Sequence, residues 1–517
     1  MRPSIWSATL LFALTVLTLI LLRPLTPIDE TRYVAAAWEM YQGGSALVPH
    51  LNGALYAQKP PLLFWLIDLV WLMGGVSTLG ARLVAPAFAV AAVALTGLLA
   101  RRLWPGDPAR AARAALILAV SPVFLLFGST TMFDSILTVA TLWAMLAMLW
   151  AWRRPDRWTP FLALGAAIAL GVYAKGPVIL IHVLPVALTA PLWAGRELPA
   201  WRWYRGVGLS ILTALALVAL WLVPALILGG EEYRTEVLWR QSAGRVVSSF
   251  AHQRPFWFFL AMLPLFLWPF GWTLPGLRAL RPSALAGSAP GRFLSIWFIG
   301  TLLAFSLISG KQTHYLLPEL PALALLLSGA GSFAPRRPRD LWQALPVFAL
   351  MLLIVVAASG QLPALRALPF RIPLWAAGLG LVVAAIGIAG FLRLRAGLVA
   401  LAALPLSAML GLHFAAQPLL FARYDVNAIA RAIQPYDATG IAITDGRYHA
   451  QFNFAARLRQ PVAQVTDPQA AADWIAGHPD GILLSLDPVP PPGTRPVARF
   501  PYRSDTYTLF RPDKAVR

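Results

Sequence analysis

Long apolar runs separated by short polar breaks fill the chain as far as residue 416. They cover 5–22, 83–100, 114–128, 135–152, 159–174, 177–194, 207–228, 256–276, 293–309, 315–333, 342–359, 373–392 and 397–416. Each approaches the roughly 20 residues that a membrane-spanning helix needs. Ile5–Leu22 behind Arg2 has the outline of a signal peptide, but no A-x-A-like site follows in LLRPLTPIDE, so a retained first span is expected. One further run, PLLFWLIDLVWLMGG from Pro61 to Gly75, is short and carries Asp68.

Charge decides how that run is placed. If 61–75 does not span and the N-terminus is inside, the Arg-bearing loops RRLWPGDPARAAR, RRPDRW, GRELPAWRWYR, LRALRP, APRRPRD and RLR all fall inside, as the positive-inside rule requires. If it spans, every cluster flips outward. The run is therefore expected to be an amphipathic helix at the outer interface. That gives thirteen spans, with the N-terminus in and the C-terminus out.

Composition agrees. The chain is 58% hydrophobic and 12% charged, too apolar for a soluble protein of 517 residues. Its net charge of +20 comes from 42 basic and 22 acidic side chains. The arginines stand between apolar runs, a mark of topology and not of nucleic-acid binding. There is no cysteine, which excludes disulfides, thiolate catalysis and Cys-ligated zinc.

From about Phe421 the composition becomes that of a soluble domain. ATGIAITDG and GILLSL read as strands, while DVNAIARAI, HAQFNFAARL and DPQAAADWIAG read as amphipathic helices. PVPPPGTRP is a turn or linker. A small α/β domain over 421–517 is expected, with no Gly-rich phosphate loop.

The predicted topology puts nearly all the remaining polar groups on the outer side. Asp29 and Glu30 open a helical stretch in TPIDETRYVAAAWEM, directly after the first span. Acids at a helix start complement the dipole, a sufficient account of Glu30. Asp29 faces another side, and a carboxylate at the lipid–water boundary suits a general base. In YAQKPPLLFW, Tyr56 precedes Lys59, which the following prolines hold in an extended segment. Lys59 either pairs with a lipid phosphate or snorkels to anchor the helix behind it. Asp134 in TTMFDSIL is a first-turn acid or a reacting group, and Lys175 in AKGP marks a reversal. The loop 229–255 carries Arg245, His252 and Arg254 on the side where arginine is not expected. Guanidinium groups there match phosphate geometry. His252 is more simply a hydrogen-bonding residue than a metal ligand, since no H-x-x-x-H or His/carboxylate cluster accompanies it. SGKQTHYLLP sets Lys311, His314 and Tyr315 at the mouth of a span. Together these describe an outward cavity with carboxylates on one wall and cations on another. Such a cavity suits attack by an activated acceptor while an anionic group leaves.

The order DETRY, WEM, VPHLNG and Y-x-x-KPP, followed by FDS, AKG, RPFW and SGKQTHYLLP, resembles the aminoarabinose transferases, GT-C glycosyltransferases related to protein O-mannosyltransferases. The resemblance covers nearly the whole chain. It implies a polytopic α-helical membrane protein of GT-C fold with about 13 transmembrane helices. The catalytic membrane domain would be 1–420, with outer loops 23–82 and 229–255, and 421–517 a small periplasmic α/β domain. The implied partners are membrane lipid, a polyprenyl (undecaprenyl) phosphate sugar as donor, and lipid A, a glycan or a protein as acceptor. The implied site is the periplasmic face of the bacterial inner membrane. By the same resemblance Asp29 is the catalytic carboxylate, with Glu30 beside it and Asp134 near the reacting groups, and Lys59 meets the donor phosphate. Arg245, Arg254 and Lys311 are further phosphate candidates. Tyr56, Lys175, His252, His314 and Tyr315 line the cavity. No cofactor follows from the sequence; a divalent metal stays open, with His252 its one weak candidate ligand. The chain departs from the family at Gln58, where EKP is usual, at RQSAGR and at GKQTHY. The sugar and acceptor are therefore not specified.

Rival classes make different demands. A transporter or flippase of lipid-linked sugars requires charged or broken spans near the midplane. A polysaccharide ligase or polymerase would lack the DETRY–KPP loop. A non-enzymatic assembly factor would tolerate neutral replacement of the outer acids.

Overall fold

The structure, a computed structural model, describes residues 4–195, 198–243, 253–331, 333, 338–360, 372–394, 397–446 and 448–513. The first helix, α1 (Ile5–Leu21), starts at a reciprocal cap in which the backbone N–H of Ser7 donates to Ser4 Oγ at 3.0 Å and that of Ser4 donates to Ser7 Oγ at 2.8 Å. It is followed by α2 (Asp29–Tyr41), a two-residue β-hairpin of β1 (His50–Leu51) and β2 (Ala54–Leu55), and α3 (Leu62–Gly74). Next come α4 (Thr78–Leu103), α5 (Pro108–Ala119), α6 (Pro122–Gly128), α7 (Asp134–Arg153), α8 (Thr159–Lys175) and α9 (Ile179–Leu188). Buried residues of α1, α4, α5, α7, α8 and α9 join those of later helices in one apolar core. Helices approach closely where glycine allows it: a Cβ on Gly165 of α8 would lie 2.5 Å from the Ser210 carbonyl oxygen of helix Ala200–Leu228.

Among the described residues, eight helices are long and apolar enough to cross a membrane, and nine if the α5–α6 pair, bent by 64°, is one span. The protein is a multi-span membrane protein, and among the described residues not every run expected to span is a single long helix. α1 has 17 residues. α8 and α9 belong to one stretch, Thr159–Leu188, counted as a single span. The expected span 256–276 is broken into Phe258–Leu267, a 3-10 turn and the start of the helix Leu274–Ala279, and 315–333 holds a 3-10 segment, Thr313–Glu319, the short helix Leu320–Leu327 and a 3-10 turn, Ser328–Ala330. Proline supplies the physical reason in several places. Pro122, Pro269, Pro318 and Pro321 stand at these breaks, where a missing N–H and a ring clash interrupt the helical ladder. Apolar composition is blind to such interruptions. The short run 61–75 did form a separate helix, α3, whose 13 residues span only about 20 Å.

The C-terminal part builds a five-stranded sheet in the order β4-β3-β5-β7-β6, from β3 (Ile441–Ile443), β4 (Ala463–Gln464), β5 (Ile482–Ser485), β6 (Thr494–Tyr502) and β7 (Asp505–Pro512). β4, β3 and β5 run parallel, and β7 and β6 close the sheet as an antiparallel hairpin. Helices Asn427–Ile433 and Pro468–Gly477 match the sequence pattern. HAQFNFAARL does not form the expected helix. Ala450 and Arg457 sit at φ 55°, in the left-handed region, and the stretch folds as successive turns. Its apolar side chains Phe452, Phe454 and Leu458 pack into one cluster with Tyr33, Met40, Phe64 and Trp71.

The tail domain is thus tied to the first loop. Asn52 Nδ2 donates to the Val462 carbonyl at 2.9 Å, and Asn52 Oδ1 accepts from Val462 N at 2.8 Å and Asn453 Nδ2 at 3.1 Å. Trp38 Nε1 and Gln42 Nε2 both donate to the Leu458 carbonyl at 2.9 Å. Asn52 itself lies at φ 56°, a conformation asparagine tolerates better than most residues. Asn52→Ala is expected to loosen the tail domain by about 2 kcal/mol, raising its native-state proteolysis roughly 30-fold. Time courses of limited proteolysis in detergent check this.

Candidate functional site

Asp29 and Glu30 begin α2, where exposed N–H groups favour negative charge. They are adjacent in sequence and opposite in environment. The Glu30 side chain is 4% exposed and that of Asp29 is 46% exposed. Glu30 forms a two-pronged pair with Arg23: Arg23 Nη1 bonds Oε2, and Nη2 donates to Oε1 at 3.1 Å. Glu30 also accepts from Thr26 N at 2.9 Å and Thr131 N at 2.7 Å. Arg23 Nη2 reaches the Ser129 carbonyl at 2.7 Å. Burial opposes ionisation of Glu30, yet the Arg23 guanidinium, Arg82 and the Thr131 N–H outweigh it and hold the carboxyl at about 2. Glu30, grouped with the reacting carboxylates on sequence, is placed as the lock between the first loop and the α6–α7 junction.

Asp29 is held differently. Arg32, one turn on, forms an ion pair with Oδ1, and the Tyr33 hydroxyl donates to the same oxygen at 3.2 Å. Both bonds go to Oδ1, so Oδ2 is the oxygen left to meet a substrate. Tyr56 is buried beside this group, close enough for its charge state to act on Arg32 and Tyr33.

The Tyr33 ring packs edge-on against Phe133 at 4.8 Å, and Lys59 Nζ lies 5.7 Å from the centre of the same ring. The next residue, Asp134, opens α7 and is buried; its Oδ1 is 2.6 Å from Lys175 Nζ. Lys175 ends α8, where Gly176 at φ 78° opens a single 3-10 turn into α9; the reversal expected there does not form, since α8 and α9 continue as one span. Lys175 Nζ also stands 4.7 Å from the centre of the Tyr315 ring, and Tyr315 packs against His314 at 5.1 Å. His314 lies under Phe127 at 5.2 Å. Burial pushes His314 down to about 4, with Asp134, Lys175, Asp29 and Lys59 all near enough to act on it. The imidazole is therefore neutral at pH 7. Asp29, Tyr56, Lys59, Asp134, Lys175, His314 and Tyr315, spread over some 290 residues of sequence, come together in one connected cluster.

Arg254 and Lys311 form a separate feature. Gln253 bridges to Gly310, Arg254 N donates to the Ser309 carbonyl at 3.1 Å, and Lys311 Nζ donates to the Arg254 carbonyl at 3.1 Å and to the Ile308 carbonyl. The Lys311 ammonium is thus buried on backbone carbonyls, while the Arg254 side chain is exposed over Phe258. Arg245 and His252 lie outside the described residues. Among the described residues no three His, Asp or Glu side chains gather as for a metal ion.

Sequence reasoning missed four groups. Arg23 reads as a topology charge, and Arg32 as a helix-surface cation. His449, from the tail domain, has its charged form disfavoured by burial and by Arg32, with Asp29 also in range. His182 and Glu319 form a fully buried pair. The last two carried a signal, since each is an ionisable residue inside an apolar run.

The chain matches known proteins at several levels. Residues 58–224 match the family described as dolichyl-phosphate-mannose-protein mannosyltransferase, a stretch containing Lys59, Asp134 and Lys175. The undecaprenyl phosphate-alpha-4-amino-4-deoxy-L-arabinose arabinosyl transferase of Pseudomonas aeruginosa is 33% identical over 313 residues, which cover 58% of this chain and 55% of the relative. A Pseudomonas fluorescens enzyme of the same name is 32% identical over 309 residues, 58% of this chain and 52% of its own. The matched stretch thus spans about half the length of these curated relatives. The crystal structure of ArnT from Cupriavidus metallidurans bound to undecaprenyl phosphate superposes with a TM-score of 0.75 at 20% identity, over 97% of both chains. The chain thus has the GT-C fold of that structure, and over the matched stretch its sequence is similar to the aminoarabinose transferases. The archaeal oligosaccharyltransferase AglB of Archaeoglobus fulgidus shares this GT-C architecture more distantly, at a TM-score of 0.52 and 13% identity over 93% of this chain and 69% of that one.

Glu30 gives this GT-C protein a measurable pH dependence. Its folded value of about 2 lies below the usual 4.5. Its stabilising share is therefore complete above pH 4.5 and lost as the pH falls toward 2. That share is about 3 kcal/mol. Glu30→Gln removes this dependence and costs about 3–5 kcal/mol at pH 7, because Arg23 is left buried without its counter-charge. Thermal unfolding of both forms between pH 7 and pH 3 should show the two curves converge.

Proposed function

We propose that this protein is a glycosyltransferase moving a sugar from a polyprenyl phosphate, undecaprenyl phosphate in bacteria, to a lipid, glycan or protein acceptor. The periplasmic face of the bacterial inner membrane is the proposed location of the reaction, with the N-terminus cytoplasmic and the tail domain periplasmic. The observation that carries the proposal is this cluster. A half-exposed carboxylate, Asp29, is bonded to Tyr33, whose ring packs on the same Phe133 that Lys59 approaches, and Phe133 is followed by Asp134 of the buried Asp134–Lys175 pair. The resemblance to undecaprenyl-phosphate-dependent relatives supports the same assignment.

In the proposed reaction Asp29 Oδ2 takes the proton from an acceptor hydroxyl or amine as the freed electron pair attacks the sugar C1 from the face opposite the phosphate. The C1–O bond to phosphate breaks, its electrons leave with the lipid phosphate, and the configuration inverts. Lys59 stabilises the charge that grows on the leaving phosphate. Arg32 and Tyr33 fix the Asp29 carboxylate through Oδ1, which orients the other oxygen at the cost of some basicity. The Asp134–Lys175 pair sets the local field, and neutral His314 offers a ring nitrogen without adding charge. Arg254 lies at the rim as a further cation for phosphate. The tail domain brings His449 toward Arg32, which gives the acceptor a contact outside the membrane domain.

Purified protein is incubated with a panel of polyprenyl-phosphate sugars and membrane-extract acceptor, and release of polyprenyl phosphate is followed by mass spectrometry. Asp29→Asn should lower turnover about 10²- to 10⁴-fold while donor binding persists. Lys59→Met should weaken donor binding as well as turnover. Equal release by native protein and Asp29→Asn would remove Asp29 as the base. No release from any donor would overturn the assignment and favour transport of lipid-linked sugars.

A further inference from the structure

The His182–Glu319 pair is the charged cluster that the chemistry above leaves unused. His182 lies on α9 and Glu319 ends the 3-10 segment Thr313–Glu319. His182 Nδ1 and Glu319 Oε1 are 2.6 Å apart, both side chains are 0% exposed, and His182 Nε2 and Glu319 Oε2 are buried without a hydrogen-bond partner. A polar pair this dry is a poor source of stability compared with apolar residues of the same volume. Its value has to come from direction. The pair joins two segments that border the site. α9 follows Lys175 through the tight turn Gly176–Val178, where Ile179 packs so closely on Gly171 that a Cβ there would meet it at 2.4 Å. The 3-10 segment carries His314 and Tyr315. Between the two lies Phe305, 5.3 Å from the His182 ring and 5.8 Å from the Tyr315 ring.

We propose that His182 and Glu319 are positioning residues: their bond fixes α9 against the Thr313–Glu319 segment, which holds Tyr315 under Lys175 and keeps Lys175 on Asp134. The inference deepens the transferase assignment and depends on it for the meaning of turnover.

The test separates position from stability. In the double variant His182→Phe with Glu319→Leu, apolar side chains replace the pair, so the protein should fold and unfold as the native chain does. Turnover should nevertheless fall about tenfold or more, with KM for the donor changed less than about threefold, because a displaced charge acts in the transition state. Lys175, released from Asp134, should be acylated several-fold faster by a small amine-reactive reagent, read by peptide mass spectrometry. Glu319→Gln, which keeps an acceptor oxygen for His182 Nδ1–H, should restore both readouts. A folded double variant with native turnover and native Lys175 reactivity overturns the proposal. If the double variant does not fold, His182→Asn is read by the same two criteria. If the native protein transfers no sugar, the transferase assignment fails on its own, and the acylation rates still decide whether the pair positions Lys175.

Discussion

A buried guanidinium–carboxylate pair between the first two helices decides where the groups of the candidate site stand. Arg23 leaves the first helix and meets Glu30 at the start of the second, and the pair is closed by the Thr26 and Thr131 N–H groups and the Ser129 carbonyl. Two buried charges are tolerated because every lone pair and most donors are used. The consequence is mechanical. Glu30 cannot turn without breaking the junction of α6 and α7, so its neighbour Asp29 is presented outward at a fixed place. Phe133 and Asp134 follow Thr131 by two and three residues, which puts them in register with that presentation. One pair thereby aligns a carboxylate from the first loop with a second carboxylate a hundred residues later.

Around that lock the charges are partitioned by exposure. Asp29 is open on one side, whereas Asp134 is sealed with Lys175. A sealed pair in low dielectric keeps its charges fixed while an exposed carboxylate can exchange protons with an incoming group. His314, discharged by burial, adds polarity without another cation. In the proposed transfer this division would put fixed charge near the leaving phosphate and one accessible base on the acceptor side.

The outline of the molecule was legible from hydrophobic runs and arginine placement, because lipid imposes composition directly on sequence. α3 was separated from the spans by charge bookkeeping alone, and strands β3 and β5 by short apolar runs between glycine and aspartate. The positions of Asp29, Lys59, Asp134 and Lys175 were visible as polar residues at run ends. Their gathering on one side was also read from the sequence, but not the contacts that join them, which run through Phe133 and Tyr33. Arg23 was hidden because a cation after a span has an ordinary use. HAQFNFAARL misled because its apolar spacing serves packing on Trp38 and Trp71 rather than a helical face.

Among the described residues the long helices are fewer than the runs read as spans, the interruptions border the site, and this has one cause. The α6–α7 junction supplies Ser129 and Thr131 to the lock, the turn at Gly176 ends the helix bearing Lys175, and the 3-10 segment Thr313–Glu319 carries His314, Tyr315 and Glu319. In lipid, irregular backbone survives only where protein or a cavity surrounds it, since unpaired N–H and C=O groups are too costly elsewhere. Regular spans can therefore be read from composition, but they present only side chains. The breaks present backbone groups and aim side chains across the bundle, which is what a site for a phosphate-bearing lipid needs. Broken helices and buried ionisable residues are accordingly found together here. Glu319 and His182, both set in apolar runs and both beside a break, follow from the same constraint.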